Sequence, residues 1–262
     1  MFAESAFDHV LDTNHWHFFQ DYVLRLPAFL SKYVVLMVLA GLLIVLIYVP
    51  IAQKAKNGDP PRGRWWNCFE SVLEFIRDQI AKPCIGHDAD HYVPFLWTMF
   101  LFILFCNLFG LIPFLGSPTA SFTVTAALAT ITFFFIHGSA MAKMGVKNYF
   151  QSYIPHLDIP FGLGYFVVPL IATLEFLSNF IKAFVLAVRL FANIFAGHVV
   201  LAFILFFIVT MRHSGLFWGV TLASVLGVVA LSLLELFVAF LQAYVFTFLT
   251  ALFLGMALHP QH

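Results

Sequence analysis

The sequence predicts an all-α polytopic membrane protein, and three observations support this fold class. Hydrophobic residues make up 62% of the 262 residues, and charged residues make up only 10%. Phenylalanine alone occurs 34 times, which is more apolar aromatic surface than a soluble domain of this size would bury. Apolar stretches also recur along the chain, and each has at least the roughly 20 residues that a helix needs to cross a bilayer.

The charge balance, the cysteines and the missing motifs exclude several classes of protein. Thirteen basic and thirteen acidic residues give a net charge of zero, which provides no electrostatic basis for binding nucleic acid. Cys68, Cys84 and Cys106 are far apart and odd in number, so they predict neither a disulfide framework nor a CxxC metal site. GxSxG, HExxH and P-loop motifs are absent. The sequence therefore predicts no intramembrane hydrolase, no nucleotide chemistry, no cofactor and no metal.

The N-terminal part of the chain predicts an external segment followed by a retained helix. Residues 1–27 carry four acidic side chains and no basic region of the kind that begins a secretory signal. The apolar stretch at 28–51 is long enough to be the first transmembrane helix.

Residues 52–91 predict a cytoplasmic loop that contains an amphipathic helix. The loop begins with a basic, turn-rich segment, and apolar residues then recur at helical spacing from Trp65 to Ile80, with charged residues between them. Six lysines and arginines lie from Lys54 to Lys82, against Arg25 before the first span and Lys32 near its start. The positive-inside rule therefore places the N-terminus outside.

Residues 92–262 form the remaining membrane region. Two spans are expected at 92–115 and 121–141, joined at Gly116-Ser117-Pro118. Two much longer apolar runs follow at about 165–211 and 215–258, separated by Arg212-His213-Ser214. Each run is either two ordinary spans or one long, steeply tilted helix, and both alternatives leave the C-terminus inside.

Ionisable side chains inside the long runs are the candidate functional residues, because a charge in hydrocarbon is costly and usually functional. On the first run, five polar residues share one helical face: Glu175, Asn179, Lys182, Arg189 and Asn193. Ala196 extends this face with a small side chain, whereas His198 points to the opposite side. On the second run, Glu235 and Gln242 are seven residues apart and share a face.

A structural role is the alternative for most of these residues. Glu175 and Lys182 form an ion pair in one reading, and Lys182 extends to the membrane interface in another. Asn179 and Gln242 are residue types that often make hydrogen bonds between helices. Arg189 is harder to explain structurally, because its permanent charge needs a counter-charge and the chain offers few, so a carboxylate of another protein is the alternative. The pattern alone fits a transporter, a channel or a rotary ion motor.

Three motifs resemble subunit a of F-type ATP synthases. Residues 189–198, Arg-Leu-Phe-Ala-Asn-Ile-Phe-Ala-Gly-His, match the segment RLFxNxxAGH of that family, with Glu175 at the expected distance before it. Residues 241–246 match in the last helix, and residues 107–113 with 118–121 resemble the signature of the second span. Ala183 departs from the proline of many members. The resemblance extends from Trp65 to the C-terminus.

The resemblance implies a stator with two aqueous half-channels beside a rotating ring, and two long tilted helices that form a hairpin, so that the chain crosses the membrane five times. Arg189 would face the carboxylate of the ring, and Asn193 and Gln242 would line the same contact. The proton-handling groups would be Glu175, His198 and Glu235. If the turn of the hairpin lies near His213, His198 and Glu235 are offset by about 10 Å along the helix axis.

The same resemblance implies the partners and the location. The expected partners are the ring of subunit c, the peripheral-stalk subunit b, membrane lipid and protons. The expected location is a bacterial plasma (inner) membrane, with the N-terminus outside and the C-terminus in the cytoplasm. A proton-coupled secondary transporter is the alternative function.

Two further features predict weaker sites. Cys84, His87, Asp88, Asp90 and His91 have metal-ligand side chains, but their spacing matches no known motif and is more typical of a solvated loop. His137, near the end of the third span, lines a cytoplasmic exit or caps its helix.

Overall fold

The computed structural model describes residues 15–19, 22–25, 31–56, 63–112, 115–152, 164–211 and 217–259. Its larger helices are α1 (Lys32–Lys56), α2 (Arg64–Phe75), α4 (Ala89–Leu111), α5 (Phe122–Met144), α7 (Gly164–Thr210) and α8 (Phe217–Leu258). Two short helices are α3 (Lys82–Ile85) and α6 (Val146–Gln151). A π-helical turn at Ile76–Ala81 and 3₁₀ turns at Gly86–Asp88 and Pro118–Ala120 connect them.

The all-α polytopic fold class is confirmed. Five stretches of the described residues are long and apolar enough to cross a membrane: Lys32–Gln53, Trp66–Leu111, Phe122–Met144, Leu177–Ile204 and Trp218–Leu258. Each of the two long apolar runs is one continuous helix, of 47 residues in α7 and 42 residues in α8. This result excludes the alternative of two spans in each run.

A small β-hairpin precedes the helices and was not predicted. Strand β1 (His15–Phe19) pairs antiparallel with β2 (Tyr22–Arg25), with an irregular register between His17 and Phe19. The aromatic and β-branched residues of both strands favour extended backbone. Hydropathy alone did not reveal this preference, because the strands are far too short to cross a membrane.

The helix bounds differ from the sequence expectations by a few residues. Helix α1 ends at Lys56 rather than at residue 51, because the helix continues through polar residues that hydropathy does not count. Helix α4 begins at Ala89 and ends at Leu111, rather than running from 92 to 115. The earlier end follows from Pro113, because a residue before proline is disfavoured in helical conformation.

The later spans also differ slightly from the expected bounds. Helix α5 was expected at 121–141 but ends at Met144, where Gly145 adopts a left-handed φ of 83° and terminates it. The long helices were expected at 165–211 and 215–258 and run from Gly164 to Thr210 and from Phe217 to Leu258.

The chain divides into two compact units. The first comprises Met1–Arg62, Thr98–Thr125 and Arg189–Tyr244, and the second comprises Gly63–Trp97, Ala126–Val188 and Val245–His262. Helices α4, α5, α7 and α8 each contribute one segment to each unit.

In the first unit, α1 packs against α4 through a narrow stripe. Tyr33, Leu36 and Ala40 recur at helical spacing and form a buried cluster with Cys106 and Phe109 of α4. The other face of α1 leaves large aliphatic side chains exposed, which suits contact with lipid: Val38, Leu42, Val45, Leu46 and Val49.

In the second unit, the amphipathic segment has the two faces that its pattern predicts. Ile76 and Ile80 are completely buried, whereas Arg77 is exposed and pairs with Asp90 through two hydrogen bonds of 2.7 and 2.9 Å. Trp97 Nε1 donates to the main-chain oxygen of Leu73 at 2.9 Å, which ties this segment to α4.

The C-terminal end of α8 comes into main-chain contact with α3 in the same unit. A Cβ atom on Gly255 would overlap the main-chain oxygen of Cys84 and lie 3.5 Å from Ile85 Cα. Only glycine allows this approach, because the obstacle is backbone and cannot rotate away.

Candidate functional site

A cavity of about 210 Å³ lies among three helices of the first unit. Its walls come from residues 107–111 of α4, residues 193–200 of α7 and residues 231–239 of α8. Among the described side chains, the polar ones that line it are Asn107, Asn193 and Glu235, and the others are apolar or glycine. A carboxyl group at a cavity between apolar helices can exchange protons with water that enters the cavity.

Glu235 lies close to the backbone of α7. A Cβ atom on Gly197 would lie 3.2 Å from Glu235 Cδ and would overlap Oε1. The absent side chain therefore leaves room for the carboxylate beside α7. This contact gives Gly197 a specific role that the sequence analysis did not assign.

A buried hydrogen-bond network holds Asn107 in place. Asn107 Oδ1 accepts from Thr119 Oγ1 at 2.6 Å, and its Nδ2 donates to the main-chain oxygen of Ala239 at 3.2 Å. The Ser117 hydroxyl pairs with Thr119 Oγ1 at 2.6 Å and donates to the main-chain oxygen of Cys106 at 3.0 Å. The 3₁₀ turn after α4 therefore positions the Asn107 amide, and this amide links α4 to α8.

Arg189 and Gln242 differ in exposure. The Arg189 side chain is exposed, and it makes no hydrogen bond or ion pair with any residue that the structure describes. The next residue, Leu190, is buried at 1% exposure, so Arg189 projects from the outer side of α7. Gln242 is 7% exposed on α8. The exposed guanidinium is available to a negatively charged partner.

Two of the predicted residues are placed only by their helix. Glu175 and His198 both lie within α7, but their side chains are outside the described part of the structure. The expected relation between His198 and Glu235 is therefore not tested. The residue that lies beside Glu235 is Gly197, which precedes His198 in the chain.

A larger cavity, of about 600 Å³, lies in the second unit. It is lined by Lys182, Asn179, His137, Tyr149 and His259 among other residues. The ammonium group of Lys182 donates to Asn179 Oδ1 at 3.2 Å and lies 5.3 Å from the centre of the Phe253 ring. The imidazole Nδ1 of His137 forms a hydrogen bond with the Tyr149 hydroxyl, which fixes the ring within the cavity wall.

The model of the ATP synthase A chain family matches residues 34–255. The chain belongs to the ATP synthase A chain family. The matched segment contains every candidate site residue named in the first unit and also includes Glu175 and Lys182.

Several relatives support the family assignment. The chain is 38% identical to ATP synthase subunit a 2 of Chlorobaculum tepidum over 260 residues, which cover 95% of this chain and 71% of the relative. It is 36% identical to ATP synthase subunit a of Chloroherpeton thalassium over 269 residues, with 98% and 78% covered. The corresponding protein of Myxococcus xanthus is 38% identical over 234 residues, with 89% and 74% covered.

The sequence pattern left open a transporter, a channel or a rotary ion motor. Membership of the ATP synthase A chain family favours the rotary ion motor. Together with the five apolar helices, it makes the chain a multi-pass membrane protein and a membrane subunit of a larger complex. It does not favour a secondary transporter.

The acidic residues of the segment from Cys84 to His91 pair with basic side chains. Asp90 pairs with Arg77, and Asp88 pairs with the ammonium group of Lys143. Within the described residues, no group of three or more His, Cys, Asp or Glu side chains is arranged to hold a metal ion. The carboxylates of this segment therefore join helices through ion pairs.

Sequence reasoning missed the Asn107 network and the pairing of His137 with Tyr149. In the sequence, Asn107 belongs to a family motif, but an amide within an otherwise apolar helix also indicates an interhelical hydrogen bond. The partners Thr119 and Ala239 are far from it or apolar, so the sequence contained no local signal for them.

Proposed function

We propose that this chain is the proton-translocating subunit a of the membrane sector of an F-type ATP synthase. In this role it provides two half-channels and the arginine that couples proton flow to rotation of a ring of c subunits. It is not an enzyme by itself, and the nucleotide chemistry belongs to other subunits.

The observation that carries this proposal is the Glu235 carboxyl group at the cavity of the first unit. Asn107 and Asn193 line the same cavity, and polar side chains of this kind can hydrogen-bond water that enters such a space. Carboxyl groups in such surroundings can gain and lose protons near ambient pH. We assign Glu235 and Asn193 to one half-channel and propose that Glu175 and His198 also handle protons.

Arg189 supplies the charge that the mechanism needs. Its exposed guanidinium would face the carboxylate of the passing ring subunit and stabilise the ionised form where a proton must be released. A guanidinium does not lose its proton in proteins, so it cannot pass protons directly from one half-channel to the other. Asn193, four residues after Arg189, would contact the ring on the same side, whereas the burial of Gln242 within the chain disfavours the same role for Gln242.

The remaining assignments follow from this role. The partners would be the ring of c subunits and the peripheral-stalk subunit b, within a bacterial plasma membrane. The basic residues between Lys54 and Lys82 favour an outside N-terminus and a cytoplasmic C-terminus after five crossings.

The experiment that tests this function replaces Glu235. ATP synthase complexes with Glu235→Gln should be reconstituted into liposomes, and ATP-driven acidification should be followed with a pH-sensitive dye. We expect a loss of proton pumping of about 100-fold, because a group that transfers protons contributes on the order of 10²–10⁴ in rate.

The matched control is Glu74→Gln, which changes an exposed glutamate of α2. This variant should pump like the unmodified complex, and ATP hydrolysis should show that both complexes are assembled. Unchanged pumping by Glu235→Gln would contradict the proposed function of this carboxyl group.

A further inference from the structure

Thr119 lies at one end of a buried hydrogen-bonded path that leads to the cavity of the first unit. The residue is completely buried in the 3₁₀ turn after α4, and it does not line the cavity itself. Its hydroxyl donates to Asn107 Oδ1 at 2.6 Å, and Asn107 lines the cavity together with Glu235. The path from Thr119 to the cavity therefore passes through the Asn107 amide.

The two partners of the Asn107 amide determine which of its ends is the oxygen. The main-chain oxygen of Ala239 can only accept a hydrogen bond, so the amide nitrogen lies on that side and donates over 3.2 Å. The amide oxygen then lies on the side of Thr119, whose hydroxyl has a proton to donate. An amide turned the other way would place its oxygen against the oxygen of Ala239. Both partners therefore require the same orientation.

This orientation brings the nitrogen end of the amide to the cavity. Ala239, which accepts its hydrogen bond, lines the cavity, as does Glu235 one helical turn earlier on α8. An amide nitrogen carries two protons, and Ala239 takes one of them. Among the described residues, no second acceptor takes the other proton. This N–H group is therefore available to water that enters the cavity.

From these contacts we propose that Thr119 is a positioning residue for proton transfer at Glu235, because its hydroxyl holds the Asn107 amide with an N–H donor at the cavity. This role rests on the proposed function of Glu235. A water molecule that accepts from an amide N–H keeps both of its own protons for donation, so it suits an acceptor such as an ionised carboxylate. An amide oxygen in the same place would instead take one of those protons.

Variants of Thr119 test whether its hydroxyl acts in proton pumping. Thr119→Val removes the hydroxyl without a large change in volume, and Ser117 keeps the main-chain oxygen of Cys106 as a partner. We expect ATP-driven pumping by reconstituted complexes to fall about three- to tenfold, which corresponds to the loss of one neutral hydrogen bond. Thr119→Ser keeps the hydroxyl, so it should pump like the unmodified complex.

The matched control is Thr125→Val. Thr125 is as completely buried as Thr119, but its hydroxyl donates to the main-chain oxygen of Phe122 in its own helix. This variant should pump like the unmodified complex. A complex with both Asn107→Leu and Thr119→Val should pump no more slowly than one with Asn107→Leu alone, because two residues that act through one contact do not have additive effects.

The contact of the amide with water can be measured without changing Thr119. Complexes that contain isotope-labelled asparagine are placed in liposomes and studied by solid-state NMR, and the Asn107 side-chain signal is the one that Asn107→Leu removes. We expect magnetisation to pass from water to this N–H group. In Thr119→Val, where the amide has lost one of its two partners, we expect this transfer to weaken.

Three results would overturn this role of Thr119. They are an Asn107 signal that receives no magnetisation from water, pumping by Thr119→Val at the unmodified rate, and pumping by Thr119→Ser as slow as that of Thr119→Val. Glu235→Gln, measured in the same series, separates this role from the proposed function. If Glu235→Gln stops pumping and Thr119→Val does not slow it, only the role of Thr119 is wrong. If Glu235→Gln pumps normally, the proposed function itself is contradicted.

Discussion

The side-chain amide of Asn107 on α4 donates a hydrogen bond to the main-chain oxygen of Ala239 on α8, over 3.2 Å. Ala239 lies four residues after Glu235, so the two residues share one side of α8. Both Asn107 and Glu235 line the same cavity. The hydrogen bond therefore sets the height of α8 against α4 and, with it, the position of the Glu235 carboxyl group.

Replacing Asn107 by leucine should disturb this position without a large change in volume. The change removes the hydrogen bond to Ala239 and the one from Thr119, although the Thr119 hydroxyl keeps its contact with Ser117. Two buried hydrogen bonds contribute about 1–3 kcal/mol, so we expect a lower midpoint of thermal unfolding and slower proton pumping. Limited proteolysis of the chain during heating would report the unfolding.

The control for this change is Asn148→Leu. The Asn148 amide also donates to a main-chain oxygen, that of Met144, but it is exposed. This variant should keep both stability and pumping. A result in which the two leucine variants behave alike would argue against a positioning role for Asn107.

Gly197→Ala should act on Glu235 rather than on the fold. The new methyl group would occupy the space of the Glu235 carboxylate, and the flexible side chain would move to another rotamer. We expect assembly to be retained and proton pumping to fall about ten- to hundredfold, because small displacements of a reacting group cost this much. Gly219→Ala serves as the control, because a Cβ there meets nothing within 4 Å. Pumping at the same rate in both variants would speak against this contact.

Neither lysine nor alanine should be able to replace Arg189 in coupled proton transport. Lysine keeps the charge but is more strongly hydrated and can lose its proton when buried, so Arg189→Lys should assemble and fail to pump. Arg189→Ala should also allow passive proton leakage along an imposed gradient. Asn193→Ala should be milder, because it removes a neutral group. Proton flux measured with and without ATP distinguishes these cases, and substantial coupled pumping by Arg189→Ala would refute the mechanism.

The connection between α7 and α8 should lie outside the cell if the chain crosses the membrane five times. Ser214, which is beyond the described residues, can be replaced by cysteine in a chain whose three native cysteines are changed to alanine. We expect an impermeant thiol reagent to label this cysteine from the outside only. Ser71→Cys, on the exposed face of α2, should be labelled from the cytoplasmic side. Labelling of position 214 from the cytoplasm alone would exclude the five-span topology.

The sequence predicted the helices better than their ends. Hydropathy reports where the chain is apolar, so the end that it predicts for α1 is too early, because this helix continues to Lys56 through polar residues. The end that it predicts for α4 is too late, because this helix stops at Leu111 before Pro113. The continuity of α7 through 47 residues followed from the resemblance and not from hydropathy, because a long apolar run suits two spans as well as one.

The candidate site was predictable only where single residues carry the signal. A carboxyl group such as Glu235 is conspicuous in an apolar run, and spacing alone associates it with Gln242. The contact of Gly197 with Glu235 depends on how α7 packs against α8, which no local pattern encodes. The same is true of Asn107 and Ala239, which are separated by 132 residues in the chain.

Gly197 and Gly255, which both pack closely against a neighbouring segment, should differ in how they vary among related proteins. The obstacle at Gly197 is a side chain, so a larger residue there can be compensated by a shorter acid at position 235, and the two positions should covary. The obstacle at Gly255 is the main-chain oxygen of Cys84, which is present whatever residue occupies position 84. No second substitution can make room for a side chain at Gly255. Evolution can therefore exchange residues at the first contact in pairs, whereas it must keep the second glycine unchanged for as long as the two segments remain packed.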